Sequence, residues 1–149
     1  MAHMKRRILW HGMALFLIGL LTGLAEREFA NPRMGLAAHL EGVMNGTLLL
    51  ALGAIWHELR LPRRLEISAF LAVLFGSYAN WAVTTLAAIW GTAGMTPIAS
   101  VAHSAQGWQE ICVTAGFVSV GIAMVASSAL ILHGLRTRPL AGSVAMAEQ

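Results

Sequence analysis

Four stretches of the chain run almost without charge: Ile8 to Ala25, Leu36 to Trp56, Ile67 to Trp90 and Ile111 to Leu132. Polar residues gather between them. Each stretch approaches or exceeds about 20 residues, the length a helix needs to cross a hydrocarbon core roughly 30 Å thick. The pattern predicts an all-α fold, an integral membrane four-helix transmembrane bundle occupying residues 1–138. A flexible tail is expected over 139–149, where the sequence turns small and polar. Pro32, Pro62, Pro97 and Pro139 fall between or beyond the runs, where a missing amide donor costs least. Trp10, Trp56, Trp90 and Trp108 lie near the run ends, at the depth an amphipathic indole prefers. Gly19 with Gly23, and Gly42 with Gly46, repeat at the four-residue spacing that lets helices approach closely.

Composition agrees with a lipid solvent. The chain is 57% hydrophobic and 11% charged, with a mean hydropathy of +0.67, whereas about 25% of a soluble domain is charged. A secretory signal over the first run is disfavoured, because that run is long for a signal core and three further spans follow. The pI of about 10.0 does not point to nucleic acid, since the basic residues form small clusters at run ends and no continuous face. Lys5, Arg6, Arg7, Arg60, Arg63, Arg64, Arg136 and Arg138 fall on one side, against Arg27 and Arg33 on the other. By the positive-inside rule the N-terminus, the middle loop and the C-terminus are expected in the cytoplasm. Cys112 stands alone inside an apolar run, which excludes an internal disulfide or cysteine metal site and reads as a small packing residue. No internal repeat marks a transporter built from duplicated halves.

The candidate chemistry lies in polar residues placed where lipid disfavours them. His39, Glu41 and Asn45 interrupt the second run. A carboxylate at a helix centre costs about 2.5 to 3.5 kcal/mol, against about 0.3 to 0.6 returned per leucine. Such residues need a partner, an interface or a ligand. At about 100° per residue Glu41 and Asn45 share a face, whereas His39 projects about 120° from Asn45. One helix is therefore expected to line two sides of a pocket, with Gly42 and Gly46 leaving space. In the third run Asn80 and Thr84 lie one turn apart, near Tyr78 and Thr85. These groups serve equally well as interhelical bonds. His11 lies one turn inside the first span, while His103, Gln106, Gln109 and Glu110 make the third loop a lid or a solvated turn. From chemistry alone, a membrane histidine beside glycines is also a potential haem ligand, because imidazole binds iron and glycine leaves room for a flat macrocycle.

Three stretches carry a resemblance: Trp10-His11-Gly12-Met13, the segment from Ala30-Asn31-Pro32-Arg33 through His39-Leu40-Glu41-Gly42-Val43-Met44-Asn45-Gly46, and Tyr78-Ala79-Asn80-Trp81. They resemble the hydroxylaminobenzene mutase family, small bacterial membrane proteins of nitroaromatic degradation, from about Arg7 to Leu135. The chain is more distantly similar to the styrene oxide isomerase family. That family shares a His-Gly pair in its first span, a histidine six residues before an Asn-Gly pair in its second, and an Ala-Asn pair in its third.

The first resemblance implies an isomerase that moves the hydroxyl of phenylhydroxylamine to the ortho carbon, giving 2-aminophenol without net redox. The second implies haem b held between subunits of a trimer, His39 as ligand to the haem iron, and Asn45 in the substrate pocket. Together they imply a ferric haem acting as Lewis acid, with His11 near the cofactor and Asn80, Thr84 and Glu41 around a small aromatic hydroxylamine. Glu41 is expected either to move protons or to be a paired structural acid. The sequence departs from the isomerase pattern at Thr84, which occupies the position of that family's pocket tyrosine. Two alternatives stand beside the mutase: an aryl epoxide isomerase, and a non-catalytic haem protein that would need a second axial ligand, with His11 and His103 as the candidates. A metal-free mutase using Glu41 and His39 as acid and base is a further possibility. A homo-oligomer in the bacterial cytoplasmic membrane completes the expectation.

Overall fold

A computed structural model describes residues 2–136 of the chain. The expected tail over 139–149 lies outside the described residues, as does Arg138. Four long helices form the body: α1 (Ala2–Ala25), α2 (Pro32–Ile55), α3 (Arg63–Trp90) and α4 (Gly107–Arg136). All four are long and apolar enough to cross a membrane. They run past the apolar stretches because flanking polar residues continue the hydrogen-bond ladder. Lys5, Arg6 and Arg7 lie inside α1, with the Arg7 guanidinium over the Phe70 ring.

Local signals set the boundaries. Asn31 caps α2 by accepting hydrogen bonds from the backbone N–H groups of Arg33 and Met34, and Pro32 takes the first helical position, where no amide donor is needed. α3 ends at Gly91, whose φ of 69° is left-handed and whose N–H reaches the Ala87 carbonyl.

α1 and α2 pack most intimately, and glycine is the reason. A Cβ placed on Gly19 would lie 2.5 Å from the Val43 nitrogen, and one on Gly46 would lie 2.5 Å from the Phe16 nitrogen. The two backbones touch, so the repeated glycines serve packing within the chain. α2 also packs on α3, and α4 packs chiefly on α3 at the edge of the bundle. Two polar rungs hang α3 on α1: the Tyr78 hydroxyl at His11, and the Trp81 indole donating to the Thr22 hydroxyl at 3.0 Å.

The two ends of the bundle are fastened differently. At the basic end Met4, Ile8, Leu49, Leu59, Phe70 and Ile131 close around Trp56. Trp56 is thus a core residue, only 1% exposed, rather than the interfacial anchor its position predicts. It bridges inward because its indole donates to the Glu66 carboxylate at 3.2 Å. At the other end the Asn31 amide donates to the Ala99 carbonyl and to the Ser100 hydroxyl, both at 3.1 Å, tying the first loop to the third. His103 joins the same clasp, its ring nitrogens against the carbonyls of Ala30 and Val101. Glu110 accepts from the backbone amides of Ala93 and Gly94. Cys112 differs from expectation: it is exposed on the outer side of α4 and packs no core.

Candidate functional site

Glu41, Asn45 and Asn80 come together in the seam between α2 and α3. One turn of helix aligns Glu41 with Asn45, so the Asn45 amide donates to the Glu41 carboxylate oxygen Oε2 and to the Glu41 backbone carbonyl, both at 2.9 Å. Asn80 donates its amide to the same Oε2 from across the seam. Among the described residues Oε1 of Glu41 has no hydrogen-bond partner and the carboxylate has no cationic one. Asn45 is 6% exposed, and Gly42 beside it lets the Trp81 ring come close, the position of a Cβ there being 3.1 Å from Trp81 Cδ1. Two neutral donors therefore hold one half-buried acid by one oxygen.

Thr84 belongs to this region without reaching the acid. It is buried, and its hydroxyl donates at 2.8 Å to the Asn80 carbonyl in its own helix. Thr85 does the same to Trp81.

His39 occupies another side of α2. Its Nδ1 lies 2.8 Å from the Gly19 carbonyl of α1; a carbonyl only accepts, so Nδ1 carries the proton and Nε2 presents a lone pair. Gly23 makes the seat for the ring: a Cβ there would fall 2.6 Å from Nδ1. The imidazole borders an open pocket of about 500 Å³ lined by Leu20, Leu21, Leu24, Leu36 and Glu26. Leu20, Leu21, Leu24 and Leu36 are each more than two-fifths exposed on the outside of the single chain.

The rotation of about 120° between His39 and Asn45 thus separates them onto two sides of one helix. His11 does not join His39. It pairs with Tyr78, Nδ1 to hydroxyl 3.2 Å, with the rings edge to face, and it lies about 18 Å along α1 from Gly23 at 1.5 Å per residue. His103 is held by the loop clasp instead. Neither is paired with His39 within the chain. Among the described residues no group of three or more His, Cys, Asp or Glu side chains forms a metal cage.

Sequence reasoning missed the buried Trp56–Glu66 pair and its Arg63 partner. The available signal was Arg63 three residues before Glu66, a spacing that pairs charges on one helix face. The Tyr78–His11 contact was also missed, since nothing local announces a pairing 67 residues apart.

No solved structure matches the chain. Among curated proteins it is 46% identical over 139 residues to hydroxylaminobenzene mutase HabB of Ectopseudomonas oleovorans, a match covering 93% of this chain and 85% of that protein. It is 42% identical over 125 residues to hydroxylaminobenzene mutase HabA of the same organism, covering 83% of this chain and 93% of that protein. The styrene oxide isomerase family profile matches residues 4–136. His39, Glu41, Asn45 and Asn80 all lie within that match, and the chain, similar to these hydroxylaminobenzene mutases over most of its length, belongs to the styrene oxide isomerase family.

Proposed function

We propose that this chain is a hydroxylaminobenzene mutase, converting phenylhydroxylamine to 2-aminophenol by intramolecular transfer of the hydroxyl group. The likeness to two mutases over most of the chain supports the reaction, and the Glu41–Asn45–Asn80 cluster is the single structural observation that carries it. Substrate and product are isomers: the N–O bond breaks, a C–O bond forms at the ortho carbon, and a proton leaves that carbon for nitrogen. No electrons are gained or lost overall. The reaction needs an oriented oxygen, exclusion of competing water and a proton carrier.

The chain's own residues match those needs. Asn45 orients the migrating oxygen, and Asn80 fixes the acid across the seam. Glu41, whose Oε1 is free of partners among the described residues, takes the proton from the ortho carbon and passes it to nitrogen. Holding the departing oxygen at Asn45 favours ortho return over attack by solvent. Thr84 acts through Asn80 as a positioning residue, given its bond to the Asn80 carbonyl.

His39 fits haem b. Its proton is committed to the Gly19 carbonyl, its Nε2 lone pair is available, and Gly23 clears the space a Cβ would fill. When bound there, ferric haem supplies a Lewis acid that assists N–O heterolysis. Because His39 and Asn45 face different sides of α2, we infer that the site is completed between copies in a homo-oligomer, a trimer by family resemblance. The basic clusters support a reading with both termini in the cytoplasm and the protein in the bacterial cytoplasmic membrane.

The test is turnover of phenylhydroxylamine by detergent-purified protein, with the absorption spectrum of wild type and His39→Ala. Formation of 2-aminophenol together with a Soret band, both lost in the variant, is the expected result. Full activity in protein without that band removes haem from the reaction and leaves acid–base chemistry by Glu41 and His39. Absence of 2-aminophenol with fully haem-loaded protein overturns the mutase reading. The isomerase family profile favours one second reading, aryl epoxide isomerisation. Turnover of styrene oxide to phenylacetaldehyde faster than phenylhydroxylamine turnover would establish that reading instead.

A further inference from the structure

We propose that α1 carries a specific site for one anionic phospholipid at the basic end of the bundle, outside the Glu41 seam and sharing no lining residue with the His39 pocket. His3, Arg6, Arg7 and Trp10 line a pocket of about 240 Å³. Trp10 also heads a second groove of about 260 Å³, continued along the same helix by Met13, Ala14 and Leu17. The two hollows meet at Trp10, and their residues recur at the three- and four-residue spacing that makes a single stripe on a helix. A cationic basin therefore opens directly into an apolar channel running toward the membrane interior.

Charge decides the occupant. Arg7 is stacked on the Phe70 ring, its guanidinium carbon 5.2 Å from the ring centre, which holds its charge at the basin. Among the described residues no carboxylate forms an ion pair with Arg6 or Arg7: Glu66 is engaged by Arg63 and Trp56, and Glu58 by His57. An uncompensated cationic basin takes an anionic headgroup, and a channel lined by Trp10, Met13 and Leu17, all more than half exposed, takes an acyl chain. A phospholipid with a net negative headgroup, such as phosphatidylglycerol, satisfies both halves.

Native mass spectrometry of the full-length protein in mild detergent, with added phosphatidylglycerol or phosphatidylcholine, tests this. One phosphatidylglycerol per chain should survive activation that strips phosphatidylcholine. Arg6→Ala should weaken its retention about fivefold, and Arg6→Ala with Arg7→Ala about thirtyfold. Trp10→Ala should weaken retention without altering charge. Arg64→Ala, an exposed cation outside the basin, should leave binding unchanged. Equal loss from Arg64→Ala would mean diffuse attraction and overturn the site. Displacement of the lipid by millimolar glycerol phosphate would reduce it to a phosphate site and overturn the lipid assignment. Retention unchanged in the Arg6, Arg7 and Trp10 variants would also overturn it, assigning the face to another copy if those variants lose the oligomer.

Discussion

Two carboxylates are held between helices of this protein, and the contrast in their partners separates chemistry from architecture. Glu66 is 5% exposed and both its oxygens are occupied, Oε1 by the Trp56 indole and Oε2 by the Arg63 guanidinium at 3.2 Å. Glu41 lies deeper in its span, and its partners are neutral amides converging on one oxygen. The first acid is saturated and beside a cation; the second has an oxygen to spare and no cation. Fully satisfied polar groups stabilise a fold, whereas a partly satisfied one calls for a further partner. On that reading Glu66 builds the bundle and Glu41 is the acid proposed for its chemistry.

The sharpest way to break the comparison is Glu41→Gln. Glutamine retains an acceptor for Asn45 and Asn80, so the midpoint of thermal unfolding in detergent should hold. Turnover of phenylhydroxylamine should fall about 100-fold or more, the scale of a lost proton carrier. A variant that unfolds early but keeps its turnover per folded molecule would make Glu41 a second Glu66.

Glu66→Ala is the mirror experiment. It leaves the buried Trp56 indole without an acceptor and should cost about 1–3 kcal/mol, read as an earlier unfolding midpoint with turnover per folded molecule preserved. Glu66→Gln should recover most of this. The Arg63 side chain is 64% exposed, and an exposed cation adds at most about 1 kcal/mol. If Glu66→Ala silenced the enzyme while leaving it folded, the division between the two acids would fail.

The sequence reveals one of these acids more readily than the other, for a physical reason. Glu41 interrupts an apolar run and shares a helical face with Asn45, both readable from hydropathy and the 3.6-residue period. Glu66 stands in the first turn of a helix among arginines, where an acid is unremarkable. Its burial depends on Trp56 turning inward at the end of α2. Helix existence follows from hydropathy. Helix ends shift by several residues because charged side chains continue α1 and α4 beyond the apolar stretch. Asn80 was a candidate by type, but its contact with Glu41 depends on the register between α2 and α3. His39 was separable from Asn45 by angle alone, yet its outward pocket depends on the glycine contacts that seat α1 against α2.

Gly23 extends the comparison to the histidine side of α2. Gly23→Ala places a methyl 2.6 Å from His39 Nδ1 and must push the ring off the Gly19 carbonyl, at about 1 kcal/mol in stability. Haem retention by the purified protein, read from the Soret absorbance per chain, should drop accordingly. Gly121→Ala, where a Cβ meets nothing within 4 Å, is the control. Equal retention in both variants would show that the seat under His39 does not matter to the ligand.

Thr84→Val carries the smallest expected effect and tests the boundary of the Glu41 site. Thr84 is 3% exposed, and its hydroxyl is spent on the Asn80 carbonyl of its own helix. That carbonyl is also positioned to accept the ladder bond of a helix interior, so losing the extra donor leaves no orphaned acceptor. Valine keeps the branched shape, and stability should stay within about 1 kcal/mol. Turnover should change by about threefold or less, because Asn80 keeps its amide on Glu41. A hundredfold loss would mean that the hydroxyl rotates away from the helix to meet substrate. In that case the oxygen-binding surface would extend along α3 from Asn80 to Thr84, the position where the epoxide isomerase pattern carries its tyrosine.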